Sequence, residues 1–181
     1  MRRSFFKKGK PVDCLRTIFE RRAVREYTGQ PVDREILLTL VRAGMAAPTS
    51  KDRRHLRFVV VDDGALVDQM VEDLPYSKML ATARHAIIVA SDLSVAYAVE
   101  DTDYWAQNCA AAAQNILLAA TAQGLGSCWT SMHPREERIV FLRKILKLPE
   151  YVRPFCVIAI GFAAERLEPR DKFNESHVFW R

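Results

Sequence analysis

The chain lacks most of the signatures by which an activity is read directly from sequence. It has no C-x-x-C pair, and its four cysteines (Cys14, Cys109, Cys128, Cys156) stand singly among apolar or small residues. That excludes a disulfide framework or a zinc ribbon and implies reduced core thiols in a cytoplasmic protein. His55, His85, His133 and His177 lie far apart with no i, i+4 or Cys-adjacent spacing, so no metal site is expected. There is no G-x-S-x-G elbow, no G-x-x-x-x-G-K phosphate loop and no G-x-G-x-x-G. Gly124-Leu125-Gly126 follows a helical pattern, the reverse of the strand-then-helix order that a dinucleotide fingerprint requires.

Charge is missing from one long stretch, because Tyr104 to Pro134 contains no Asp, Glu, Lys or Arg. Gln107, Asn108, Gln114, Asn115 and Gln123 interrupt it, and a lipid-facing span would bury those amides at a cost. A buried helix of a soluble protein is the expectation, with no membrane contact. The N-terminus lacks an apolar core for secretion, since Lys7-Lys8-Gly9-Lys10-Pro11 occupies that place. No aromatic ladder interleaves the basic clusters, which argues against a single-strand nucleic-acid binder. Repeats and low-complexity linkers are absent as well.

What is present is an ordinary globular composition, 49% apolar and 27% charged, in 181 residues with a net charge of +5. One domain over residues 1–181 is expected, with a basic N-terminal extension (1–12) and a C-terminal arm (162–181). Leu15, Ile18 and Phe19 recur at helical spacing, so a helix should run from an Asp13 cap to about Arg22. Asp33 can cap a second helix with the stripe Ile36, Leu37, Leu40, Val41, ending before Pro48. Leu56 to Val61 reads as a strand closed by Asp62-Asp63-Gly64, followed by a helix from Ala65 to Asp73. Ala86 to Ala90 suits a central strand covered on both faces. A long alanine-rich helix should span Asp101 to Gln123 and be capped by Gly124. Ser127 to Thr130 looks extended, Pro134 should open a helix to about Lys147, and Phe155 to Gly161 forms the third strong strand.

Arg21, Arg22 and Arg25 fall at the exit of the first helix. Two readings fit them. Arginines at a helix C-terminus interact well with the helix dipole and solvate the surface; equally, guanidinium groups offer planar paired donors for phosphate oxygens, with Arg170 and Lys172 as a second basic pair.

Four stretches then carry a resemblance: RRAVREYTGQPVD (21–33), AAPTSKDRRHLRFVVVDD (46–63), CAAAAQNILLAATAQGLGSCWTS (109–131) and IAIGFAAERLEPRDKFNESHVFW (158–180). In this order and spacing they resemble the nitroreductase family of flavin mononucleotide (FMN) enzymes. The resemblance implies an α+β fold, a central and mainly antiparallel sheet flanked by helices, and an intertwined homodimer with flavin at the interface. It implies that Arg21, Arg22, Arg170 and Lys172 hold the FMN phosphate, with Ala23 in the same motif. Arg25 would lie toward the pyrimidine edge of the ring, Pro48, Thr49 and Ser50 would reach the flavin from the neighbouring subunit, and Trp129, Thr130 and Ser131 would pass its edge. A backbone N–H from Thr130 to Met132 would meet flavin N5. No side chain is then a catalytic residue in its own right; flavin N5 carries hydride from NAD(P)H to a small-molecule acceptor by a ping-pong scheme.

The chain departs from the family pattern at Ala23 for a common serine, at Asp52 and Leu56 for asparagine and tryptophan, and at Asn108 for a frequent aspartate. Two functions from different classes remain at this point. One is an FMN-dependent oxidoreductase; the other is a non-catalytic module that binds flavin, another phosphate-bearing ligand, or nucleic acid through its basic surface.

Overall fold

The computed structural model describes residues 13–98 and 104–181. The basic extension (1–12) and the start expected for the long helix at Asp101 lie outside the described residues. In chain order the elements are α1 (Cys14–Glu20), α2 (Arg34–Met45), β1 (Leu56–Val61), α3 (Gly64–Asp73), α4 (Leu80–Ala83), β2 (His85–Asp92), α5 (Tyr104–Ala122), β3 (Gly126–Ser131), α6 (Glu136–Ile145) and β4 (Val152–Gly161). The four strands form one sheet in the order β1-β2-β4-β3, antiparallel at every pairing. The fold is α+β.

Period-two alternation divides the central strands between two cores. Ile87 and Val89 of β2 join Cys156, Ile158 and Ile160 of β4 on one face, where Leu37 and Leu40 of α2 and Cys109, Ala112, Ala113 and Ile116 of α5 cover them. Ala86 and Ile88 join Val157 and Ala159 on the other face, under Val67 and Met70 of α3, Leu80 of α4 and Ile139 and Leu142 of α6. Both faces are therefore dry, and β2 is apolar almost without interruption although its neighbours are antiparallel. The alanines of α5 let it approach α2 and the sheet closely, so that Ala112, Ala113 and Ala120 are fully buried.

Local signals behave as the side chains dictate. Asp13 accepts the Arg16 amide (3.2 Å), and Asp63 accepts those of Ala65 and Leu66. Asp33 stands at the α2 N-cap without a side-chain bond. Gly124 ends α5 at φ +74°, a conformation without Cβ penalty only for glycine.

Several expectations are corrected. Pro134 is not in the first turn of α6, because the Met132 and His133 amides both donate to Phe155 O (2.9 and 3.0 Å). The chain is still tied to β4 there, Arg135 is the N-cap, and the His133–Pro134 peptide is cis. Cys14 is exposed whereas the other three cysteines are buried. The apolar stripe of α1 faces away from its own core, with Leu15 64% and Phe19 68% exposed and only Thr17 buried. Among the described residues no layer lies over that stripe. The C-terminal arm likewise leaves Phe173, Phe179 and Trp180 exposed rather than docked. The short α4 and the 3-10 turns at Ser50–Asp52 and Glu175–His177 had no periodic signal to reveal them.

Candidate functional site

The arginine segment is not a helix tail but a rib laid along the outer edge of the sheet. Arg21 is the C-cap of α1. From there Ala23 bridges Ser127 in parallel, the Val24 amide donates to Ser127 O (3.0 Å), and Tyr27 bridges Ala163. Gly126 and Gly161 make room for this rib, since a Cβ on them would stand 2.9 Å from Val24 Cγ1 and 2.8 Å from Tyr27 Cδ1. Tyr27 Oη donates to Val24 O (2.7 Å), and burial pushes its phenol far up, so it stays neutral.

The three arginines differ. Arg22 donates through Nε to Glu168 O (2.9 Å) and through Nη1 to Arg21 O (2.8 Å), while its buried Nη2 has no partner among the described residues. Arg25 is exposed at the lip of a cleft, and its amide and that of Glu26 donate to Glu165 Oε1 (2.7 and 3.2 Å). The arm thus meets the rib at Glu165 and Glu168. Arg170 and Lys172 stand exposed further along it.

The cleft, about 1180 Å³, lies between this rib, the rim of β3 and the turn after α3. Arg25, Trp129, Thr130 and Ser131, candidates through the family resemblance, line it together with Tyr76, Lys78 and Arg138, which no sequence signal singled out. Because β3 is an edge strand, alternate residues turn both backbone groups outward. Ser127 O takes the Val24 amide and Ser131 O takes Arg138 Nη1 (3.0 Å), so the Ser131 N–H also faces the open edge. The Met132 N–H is already engaged by Phe155 O, which removes it from the candidates for a cofactor contact. Cys128 borders the cleft, and burial raises its thiol against the pull of Arg25 and Arg21. It is a packing residue.

Pro48, Thr49 and Ser50 lie away from this cleft, beside α5. Thr49 Oγ1 accepts the Arg54 amide (3.1 Å), and Ser50 Oγ lies 3.4 Å from the Asn108 amide group. Asn108 Nδ2 in turn donates to His55 Nε2 (2.8 Å), leaving Nδ1–H to donate to Ser91 Oγ (2.7 Å). Burial, then Arg57, lowers the His55 pKa, so the ring is neutral and its tautomer follows from its partners. Asn108 therefore supplies a donor that an aspartate would lack. The departures at Asp52 and Leu56 resolve locally: Asp52 pairs with Arg54 (2.7 Å), and Leu56 joins the core.

The basic clusters elsewhere are largely paired, Arg57 with Asp92, Arg84 with Asp68 and Arg153 with Glu136, each at 2.6 Å. Among the described residues no group of His, Cys, Asp and Glu is arranged to hold a metal, and no helix is long and apolar enough to cross a membrane.

Comparison with known proteins gives a consistent result. Residues 18–74 and 67–162 match the Nitroreductase family. A Methanothermobacter thermautotrophicus protein, provisionally named an NADH dehydrogenase/NAD(P)H nitroreductase, is 36% identical over 167 residues, covering 92% of this chain and 86% of that protein. A Bacteroides thetaiotaomicron crystal structure of the same provisional name superposes with a TM-score of 0.86 at 45% identity, over 92% of this chain and 96% of the other. A Desulfovibrio desulfuricans protein solved in complex with FMN, provisionally a nitroreductase, superposes at 0.81 and 26% identity, over 95% and 98%. On the family match over most of its length and on these identities, the chain belongs to the nitroreductase family.

Proposed function

We propose that this protein is an FMN-dependent oxidoreductase that passes hydride from NAD(P)H to a small planar acceptor such as a nitroaromatic, a quinone or a flavin. The observation that carries the reading is the cleft at the β3 rim, where Arg25 meets the run Trp129, Thr130 and Ser131, remote from it in sequence. The FMN complex of the Desulfovibrio relative supports the choice of cofactor.

The residues fit such a group. Arg22 keeps a buried, permanently charged N–H without a partner among the described residues, and a phosphate oxygen is the acceptor that would satisfy it. Arg21 would share the phosphate, with Arg170 and Lys172 reaching it from an arm. Ala23 contributes no hydroxyl, which removes one bond of about 1 kcal/mol. Arg25 would stand by the pyrimidine edge and stabilise negative charge there, and the edge-facing Ser131 N–H is the donor aimed toward the ring. Bound FMN would supply hydride acceptance from NAD(P)H and its return to a second substrate in alternation.

A second copy of the chain completes the reading. The bare stripe Leu15, Ile18 and Phe19 on α1 and the exposed Phe173, Phe179 and Trp180 of the arm form apolar surface of the kind a homodimer covers. Pro48, Thr49 and Ser50, remote from their own cleft, would then approach the partner's flavin.

The test is the absorption spectrum of the freshly purified protein. A flavin spectrum that bleaches with NAD(P)H in the absence of oxygen and returns on addition of an acceptor is expected. The double variant Arg21→Ala with Arg25→Ala should lose the flavin while keeping the wild-type far-ultraviolet circular dichroism; unchanged occupancy would refute the assignment.

A further inference from the structure

The turn between α3 and α4 holds an aromatic side chain at the cleft in a conformation it would not adopt unaided. Tyr76 has φ +60° and is 77% exposed. A bulky L-residue enters the left-handed region only where its surroundings hold it. Here Thr130 Oγ1 donates to Tyr76 O (3.1 Å), and the buried Ser77 hydroxyl lies 2.7 Å from Met70 O and within reach of Leu74 O. The turn is thus fastened at both ends, and the exposed ring is a fixture of the cleft wall.

Arg138, in the first turn of α6, meets that ring. Its guanidinium carbon lies 5.7 Å from the Tyr76 centroid, Nη1 donates to Ser131 O (3.0 Å), and its buried Nε has no partner among the described residues. Stacking and tethering hold the charge in one place, while most of the five N–H donors remain available. Among the described residues, Arg25, Lys78 and Arg138 line the cleft with the acid Glu26, and Glu165 is drawn against the Arg25 and Glu26 amides. At about 1180 Å³ the cleft also exceeds the roughly 300–1,000 Å³ usual for a single ligand, so a ring beside a cofactor has space.

Resting on the flavin reading above, we propose that Tyr76 and Arg138 form the acceptor-recognition site, and that the acceptor is a planar aromatic compound bearing a carboxylate. Its ring packs against the open face of Tyr76. Its carboxylate takes the free donors of Arg138, and the carboxylate-bearing end is thereby kept at the α6 side of the cleft.

The experiment uses the FMN-loaded protein with NADH and two acceptors, para-nitrobenzoate and nitrobenzene. The wild type should favour para-nitrobenzoate in kcat/KM, Arg138→Met should lower that preference about tenfold, the scale of one lost charge-assisted pair, and Arg138→Lys should restore part of it. Tyr76→Ala should raise KM for both acceptors while flavin stays bound. Equal preference in the wild type and Arg138→Met, both carrying flavin, overturns the inference. So does a change confined to the NADPH-to-NADH ratio, which would assign Arg138 to the dinucleotide phosphate. A wild type that takes up no flavin is visible in the spectrum before any acceptor is added and overturns the functional reading itself.

Discussion

Replacing Gly126 by alanine tests whether the arginine rib owes its place to close packing on β3. The new Cβ would stand 2.9, 3.0 and 3.1 Å from Val24 Cγ1, Cβ and Cγ2, against the roughly 3.5–4.0 Å at which carbon atoms are comfortable. Val24 cannot swing aside, because it is buried, its amide is held by Ser127 O, and a β-branched side chain has little χ1 freedom. The rib must therefore move outward by about 0.5–1 Å, at an overpacking cost of about 1–3 kcal/mol. Urea unfolding of the apoprotein measures that cost. Val24→Ala alone should lose about 1.5–3 kcal/mol of burial, but the double variant should be more stable than the sum of the singles by about 1 kcal/mol, since two of the three clashing carbons are gone. FMN titration of Gly126→Ala, followed by fluorescence quenching, should also show weaker binding, because Arg21 and Arg25 ride on the displaced segment. An additive cycle, with coupling below about 0.3 kcal/mol, would refute the reasoning.

Two further outcomes are expected. His85 Nε2 accepts the Val32 amide (3.1 Å) and His55 Nε2 accepts from Asn108, and burial lowers the pKa of both rings. The unfolded chain then binds the more protons once pH falls below about 6.5, so stability is full above that value and declines below it toward the lower folded pKa; urea midpoints from neutral to mildly acidic pH measure the slope, His85→Gln should flatten it, and a level wild-type profile would refute the account. Leu15→Lys combined with Phe19→Lys should shift the protein from dimer to monomer in light scattering and lower its flavin content, and a wild type that is monomeric at micromolar concentration would remove the dimer reading.

Much of the secondary structure was legible before folding was considered. Leu56 to Val61 is β1 as read, the apolar run Ala86 to Ala90 lies within the doubly covered β2, and Gly124 ends α5. The family resemblance singled out Arg25, Trp129, Thr130 and Ser131, and these line one cleft. Legibility failed where distant segments meet. Nothing in Pro134 itself says that the two residues before it are still bonded to β4, and nothing in the helical spacing of α1 says that its stripe has no cover among the described residues.

By itself the sequence determined what depends on neighbours in the chain: the period of each apolar pattern, the caps at Asp13 and Gly124, and the absence of ligand spacing among its histidines and cysteines. Backbone hydrogen bonding and side-chain periodicity act over a few residues, so those features are written locally. Only the tertiary structure decided that the arginine segment lies along β3, that Asn108 serves His55, and that Arg138 stacks on a left-handed Tyr76. Each of these is a contact between elements remote in sequence, and it exists only because two apolar layers must close on opposite faces of one sheet.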